Sequence, residues 1–167
     1  MSYIKGNNML LYHGSNLIVQ EPSLQESKRA LDFGKAFYLT SDLEQAKKWS
    51  IRTTERRNQG KAIVSVYEVN DRIWNKLNIK QFTQPDKDWL HYITANRKQI
   101  SINDNYDVVI GPVANDQTIA TIGIYLRGYI NEDMAIELLL PQKLKDQYAL
   151  KTIKAISSIK FKEAINL

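Results

Sequence analysis

Groups able to do chemistry are few in this chain of 167 residues: it holds two histidines, His13 and His91, and no cysteine. A thiolate nucleophile, a disulfide and a Cys-based zinc or iron–sulfur site are thereby excluded, and two histidines do not make a His-rich metal cage, so no metal is expected. No G-x-G-x-x-G, G-x-x-x-x-G-K-[ST] or G-x-S-x-G pattern occurs, which removes the dinucleotide fingerprint, the P-loop and the nucleophile elbow. His91 lies in a polar helical segment, where an exposed imidazole is the ordinary outcome. His13 has a different setting. It follows the apolar run Met9-Leu10-Leu11-Tyr12 and precedes Gly14-Ser15, which places it at the end of a short strand. There an imidazole either bonds a nearby carbonyl or offers a ligand one donor and one acceptor.

The elements that must position such groups follow from periodicity and punctuation. After a segment around Pro22, with a short helix predicted from Ser23 to Ala30, Asp32-Phe33-Gly34 reads as a glycine turn leading into the aromatic strand Ala36-Phe37-Tyr38-Leu39-Thr40. Ser41 to Glu44 fits a capping box, and Leu43, Ala46 and Trp49 follow at helical spacing, predicting a helix from Asp42 to Arg57 that Asn58-Gln59-Gly60 ends. Ala62 to Val69 is a β-branched strand, Asp86 to Lys98 a helix, and Tyr106 to Pro112 a buried strand. Asp116 caps a helix over Thr118 to Tyr129, and Asn131 caps another that Pro141 ends. Gln147 to Thr152 and Ala155 to Lys162 close the chain as two strands. The mixture predicts one α+β domain over residues 1–167, with 71–102 as a helical insertion or lid.

Composition supports a folded, soluble domain: 43% hydrophobic and 25% charged residues are globular averages. No apolar run approaches the roughly 20 residues of a membrane span, and Met1 to Lys5 has no signal-peptide core, so a cytoplasmic protein with no membrane partner is expected. The net charge of +5 is unevenly spread. Residues 28–61 hold nine Lys or Arg against four acids and 143–163 six Lys against two, whereas 103–142 hold six acids against one Arg. A face built from the two basic blocks would draw a dinucleotide pyrophosphate, a nucleic-acid strand or an acidic partner.

Tyr12-His13-Gly14-Ser15, then Phe33 to Thr40 with Trp49 on the following helix, then Asp146-Gln147-Tyr148 at a late strand, resemble in order and context the ADP-ribosyltransferase superfamily. The branch is the His-Tyr-Glu one, which includes diphtheria-toxin-like toxins and poly(ADP-ribose) polymerases. Closest are its small bacterial members of uncharacterised function, several of them toxin–antitoxin partners. The resemblance runs from about Leu10 to Phe161. It implies a split β-sandwich of two small antiparallel sheets with flanking helices around a cleft for NAD, the co-substrate. It also implies roles. His13 would bond a ribose hydroxyl and Gly14 would hold the carboxamide through its backbone, with Ser15 beside them. Tyr38 would stack on nicotinamide, and Trp49 would close the clamp. Thr40 follows in the same strand, and Lys35 is a candidate for the pyrophosphate. The catalytic set would be His13, Tyr38 and Gln147.

Two positions depart from the pattern. Gln147 stands where the transferases place a catalytic Glu, and Ala46 where the polymerases place a serine. A carboxylate can stabilise the positive charge that develops on a ribose and take a proton; an amide only hydrogen-bonds. Mono-transfer to a protein or nucleic acid is therefore favoured over chain extension. The 141–146 loop lies at the superfamily's substrate-recognition position, and its Lys143 and Lys145, with Lys47, Lys48, Arg52, Arg56 and Arg57, could read an acidic protein or a nucleic acid. Three readings stay open: a mono-ADP-ribosyltransferase toxin restrained by a small antitoxin, a catalytically silent module that binds NAD, ADP-ribose or a partner, and a basic nucleic-acid-binding domain.

Overall fold

Burial on both faces marks the central strands. The computed structural model describes residues 8–24, 32–98 and 104–167; the helix expected over Ser23–Ala30 falls almost wholly outside them. β3 (Ile63–Val69) is buried at every position but Glu68, because it lies between β1 (Leu10–Ser15) and β7 (Ile159–Asn166) in an antiparallel three-stranded sheet. The second sheet runs β2 (Phe37–Leu39), β6 (Asp146–Leu150), β5 (Val108–Pro112), β4 (Ile79–Gln81). Its last pair, β4 with β5, is parallel, so this sheet is mixed rather than antiparallel as the resemblance implied. A parallel pair needs a crossover, and here the chain between the two strands carries a helix.

Period-two alternation sorts the strand residues into layers. Leu11, Phe37, Leu39, Tyr67, Val69, Val108, Ile110 and Leu150 form a core between the sheets. Val64 and Val66 face the other way, onto Ala46 of α1 (Leu43–Arg57). Phe33, Val109 and Ala149 pack beneath α3 (Lys87–Arg97), α4 (Asp116–Leu126) and α5 (Glu132–Leu139), which follow the short α2 (Asp71–Trp74). The protein is thus α+β, two small sheets flanked by helices. The 71–102 segment, expected as an insertion or lid, contributes the edge strand β4 and the fully buried Trp89, Leu90 and Ile93 of α3. Trp89 also donates its indole N–H to the Pro112 carbonyl (2.9 Å).

Several local expectations shift. Asp42, not Ser41, caps α1, accepting from the Gln45 amide (2.8 Å), while the Ser41 and Thr40 hydroxyls both bond the Asp146 carboxylate. An Asp at the N-cap satisfies an orphan amide as well as a serine does and adds favourable charge. Asn58 ends α1 in the left-handed region at φ 47°. The side-chain cap of α4 is Asn115, accepting from the Thr118 amide (3.0 Å), one residue earlier than expected. The strand expected from Ala155 begins only at Ile159, because Thr152 caps a short α6 (Ile153–Ile156).

Candidate functional site

The two sheets touch at one edge and part beyond it. Tyr12 of β1 and Thr40 exchange backbone hydrogen bonds of 2.9 and 3.0 Å, the only strand-like bridge between sheets among the described residues. Past that bridge opens a cleft of about 490 Å³. His13 and Gly14 of β1, Tyr38 of β2, Trp49 of α1 and Gln147 of β6 all line it.

His13 sits inside β1 rather than at its end, since the strand continues through Gly14 to Ser15. Its ring stacks on Phe37 at 4.4 Å, and Nδ1 lies 2.8 Å from the Tyr38 carbonyl oxygen. A carbonyl only accepts, so Nδ1 carries the proton and Nε2 is left as an acceptor. Burial, the largest influence, holds the His13 pKa below the ordinary 6.5; the bond to the Tyr38 carbonyl works against this, and the Arg57 charge adds to it. A neutral imidazole with a free lone pair is the result.

Gly14 is fixed by packing. A methyl group there would lie 2.1 Å from the Ala46 carbonyl oxygen and 2.8 Å from the Ser50 amide nitrogen, so only glycine lets α1 approach β1 this closely. Its main chain still faces the cleft. Tyr12 sends its N–H and C=O to Thr40, and strand alternation sends those of Gly14 out along the same edge, where no further strand pairs with β1 among the described residues. Gly14→Ala is expected to destabilise the fold by about 1–3 kcal/mol, lowering the thermal midpoint by several degrees in a melting experiment. An unchanged midpoint would show that α1 can yield.

Tyr38 is held by its own turn: its hydroxyl donates to the Gly34 carbonyl (2.5 Å) and accepts from the Phe33 amide (3.2 Å). Burial pushes its pKa far above the usual 10, and the nearby Asp32 charge adds to the effect. The phenol stays neutral, a fixed ring in the cleft wall. Gln147 is 4% exposed, and its Nε2 has no hydrogen-bond partner among the described residues. An amide donor buried without a partner costs about 1–3 kcal/mol, and here it lines the cleft.

Other expected residues fall elsewhere. Ser15 ends β1, 5% exposed and opposite Ile63; Thr40 is fully buried on Asp146; Lys35 is exposed in the turn before β2. None of the three is among the described residues that line the cleft: Ser15 is paired opposite Ile63 at the end of β1, and Thr40 is held by Asp146 at the sheet junction. Ala46 is fully buried against β3 and is no part of the cleft either. His91 is a surface residue bonded to Glu132, as an exposed helical histidine should be.

The cleft also holds residues that motif order did not single out: Arg52, Thr53 and Arg56 on α1, Asp32 and Arg97, and Val113, Ala114 and Ile119. Trp49, Arg52, Thr53 and Arg56 follow the i, i+3, i+4, i+7 rule, one face of α1, and that spacing was visible in the sequence. Asp32 and Arg97 pair through Oδ1, at 2.7 Å to Nη2 and 2.8 Å to Nε, across 65 residues. No local pattern predicts such a pair. Asp32 is the only carboxylate among the described residues that line the cleft. Arg52 bonds Asp116 (2.9 Å), and Arg56 has no ion-pair partner among the described residues.

Fold and site together define an α+β protein with a cationic, aromatic-walled cleft at the junction of two small sheets. The chain belongs to the DUF3990 family, a protein family of unknown function, whose pattern matches residues 9–161. No curated protein matches the chain. Among the described residues no cluster of three or more metal-ligating side chains occurs, and no helix is long and apolar enough to cross a membrane.

Proposed function

We propose that the protein is an NAD-dependent mono-ADP-ribosyltransferase with a split-sandwich transferase fold, acting in a bacterial cytoplasm as the toxin of a toxin–antitoxin pair. The observation that carries this reading is the convergence of His13, Gly14, Tyr38, Trp49 and Gln147, from four separate elements, in one cleft. Its volume lies within the roughly 300–1,000 Å³ of small-molecule sites. The groups present suit NAD in kind: two aromatic rings for a flat heterocycle, the open Gly14 edge for a carboxamide, an imidazole acceptor and an orphan amide donor for ribose hydroxyls, and Arg52 and Arg56 for a pyrophosphate.

Bound NAD would supply a ribosyl group whose bond to nicotinamide breaks with its electron pair leaving on nicotinamide, while an acceptor atom bonds the freed carbon and gives up a proton. The chain's own residues act around that exchange. His13, neutral, accepts from a hydroxyl through Nε2 and so fixes its orientation. Gln147 donates from its buried Nε2, where a preorganised dipole counts for more than in solvent. Tyr38 and Trp49 fix the plane of the leaving ring. Asp32, held by Arg97 through Oδ1, keeps Oδ2 without a hydrogen bond to any described residue and is the carboxylate among the described lining residues that can take the acceptor's proton.

The test is transfer of label from adenine-tagged NAD into a bacterial lysate, beside the His13→Ala protein, followed by separate protease and nuclease digestion. Label that requires His13 and survives one digestion alone is expected, and it names the acceptor class. The amide at 147 favours a second reading, a silent module that binds NAD, ADP-ribose or an antitoxin-like partner. Label no higher than in the variant, with NAD still bound, would select that reading.

A further inference from the structure

A smaller cavity of about 210 Å³ adjoins the cleft and shares Trp49, Arg52 and Val113 with it. The remaining lining residues come from three places: Gln45 and Lys48 on α1, Asn115 and Asp116 at the start of α4, and Lys143 and Lys145 in the loop before β6. The two basic blocks of the sequence therefore meet here. Lys145 is paired with Asp42 (2.7 Å) and Arg52 with Asp116 (2.9 Å), whereas Lys48 and Lys143 have no ion-pair partner among the described residues. Gln45 adds an independent sign: its Nε2 is buried and has no hydrogen-bond partner among the described residues. A buried amide donor beside two ammonium groups that form no ion pair among the described residues, Lys48 sensing only the nearby Asp42 charge, suits a compact group with several acceptor oxygens and negative charge.

We infer that this cavity holds a backbone phosphate of a single-stranded nucleic acid, and that the acceptor of the proposed transferase is therefore a nucleic acid rather than a protein. The inference rests on the transferase reading of the neighbouring cleft. A phosphodiester offers non-bridging oxygens to several donors at once, while a side-chain carboxylate is planar and offers fewer directions. The shared wall also favours a nucleic acid. Trp49 stands between cleft and cavity, and an aromatic ring bordered by cations is the arrangement on which single-stranded bases stack while their backbone is neutralised alongside. A strand whose phosphate sits by Lys48 and Lys143 has its adjoining nucleotide at the mouth of the cleft.

The experiment uses the full chain and a fluorescein-labelled single-stranded 12-mer, as DNA and as RNA, in anisotropy titrations over a range of salt. NAD affinity is measured by calorimetry on the same preparations. Lys48→Glu with Lys143→Glu should weaken oligonucleotide binding at least tenfold. Loss of that phosphate contact should also reduce the slope of log K against log salt by about 0.7. Gln45→Leu should weaken binding several-fold with the slope kept, and a 12-mer with an uncharged methylphosphonate backbone should not bind. NAD affinity should stay within twofold in every variant. Arg72→Glu with Lys160→Glu, outside both cavities, controls for net charge and should cost little. Equal loss in that control overturns the inference, as does an oligonucleotide that fails to bind the unaltered protein at low salt. A fall in NAD affinity with oligonucleotide binding intact would assign the cavity to the dinucleotide's own pyrophosphate. NAD binding without oligonucleotide binding sinks this inference alone; oligonucleotide binding without NAD binding sinks the transferase reading.

Discussion

Replacing His13 with alanine is expected to cut NAD turnover about a hundredfold or more, the usual loss when one preorganised hydrogen-bonding group is taken from a reacting centre. The imidazole does two things, and alanine removes both. Nδ1 ties β1 to β2 through the Tyr38 carbonyl, which leaves Nε2 of this cleft-lining residue as an acceptor. His13→Asn separates them, since its amide N–H can still reach the Tyr38 carbonyl but carries nothing in the place of Nε2. Folding close to that of the unaltered protein, with turnover lost, is the expected result for Asn; full turnover would remove His13 from the site. The pH dependence follows from burial. Because the folded pKa lies below 6.5, the acceptor lone pair persists below the pH at which a free histidine protonates, and NAD binding should be flat from pH 8 to 6.5 before falling in acid. Stability has the same sign: the unfolded chain takes up this proton near pH 6.5 and the folded chain only at lower pH, so this contribution is whole above 6.5 and is lost as pH falls through the folded pKa. A bell centred on neutrality would contradict this assignment.

Elements with strong local signals were legible in the sequence. α1, α3 and α5 carry their caps or stops as residues: Asn58 at one end of α1, Asp86 before α3 and Asn131 before α5. β3 and β5 are runs of β-branched residues wherever they are placed. β4 is three residues of a polar stretch, extended because β5 offers it partners, and nothing local marks it. At β1, Gly14-Ser15 reads as a stop, yet the strand continues because the glycine is needed for contact with α1. In the cleft, His13, Tyr38, Trp49 and Gln147 were found through the order of motifs, and Arg52, Thr53 and Arg56 stood at helical spacing from Trp49. The Asp32–Arg97 pair depends on how α3 packs, which only the folded chain reveals. Ser15, Lys35 and Thr40 stand outside the described lining of the cleft, because nearness in sequence to a site residue does not decide which face a residue takes.

Gln147 separates function from stability, because its two expected effects have opposite signs. In the free protein its buried Nε2 is a donor with no partner among the described residues, a liability of about 1–3 kcal/mol. Gln147→Met keeps a similar unbranched shape and removes the polar atoms. The fold should gain about 1 kcal/mol and the thermal midpoint rise by about 3 °C, while transfer from NAD falls about a hundredfold. A residue kept only for packing would not behave so; loss of stability together with activity would show that the amide serves the fold. Gln147→Glu then decides what the amide does. A carboxylate has no N–H to give, so if donation is what the cleft requires, the variant loses activity despite restoring the transferases' usual residue. A large gain instead would mean that the unaltered chain binds NAD with a weakened catalytic group, and the silent-module reading would take precedence. Asp32→Asn provides the matching comparison, since it keeps an oxygen for Arg97 and removes the one carboxylate among the described lining residues. Activity lost in both Gln147→Glu and Asp32→Asn would divide the labour between them, with donation from β6 and proton acceptance from the turn before β2.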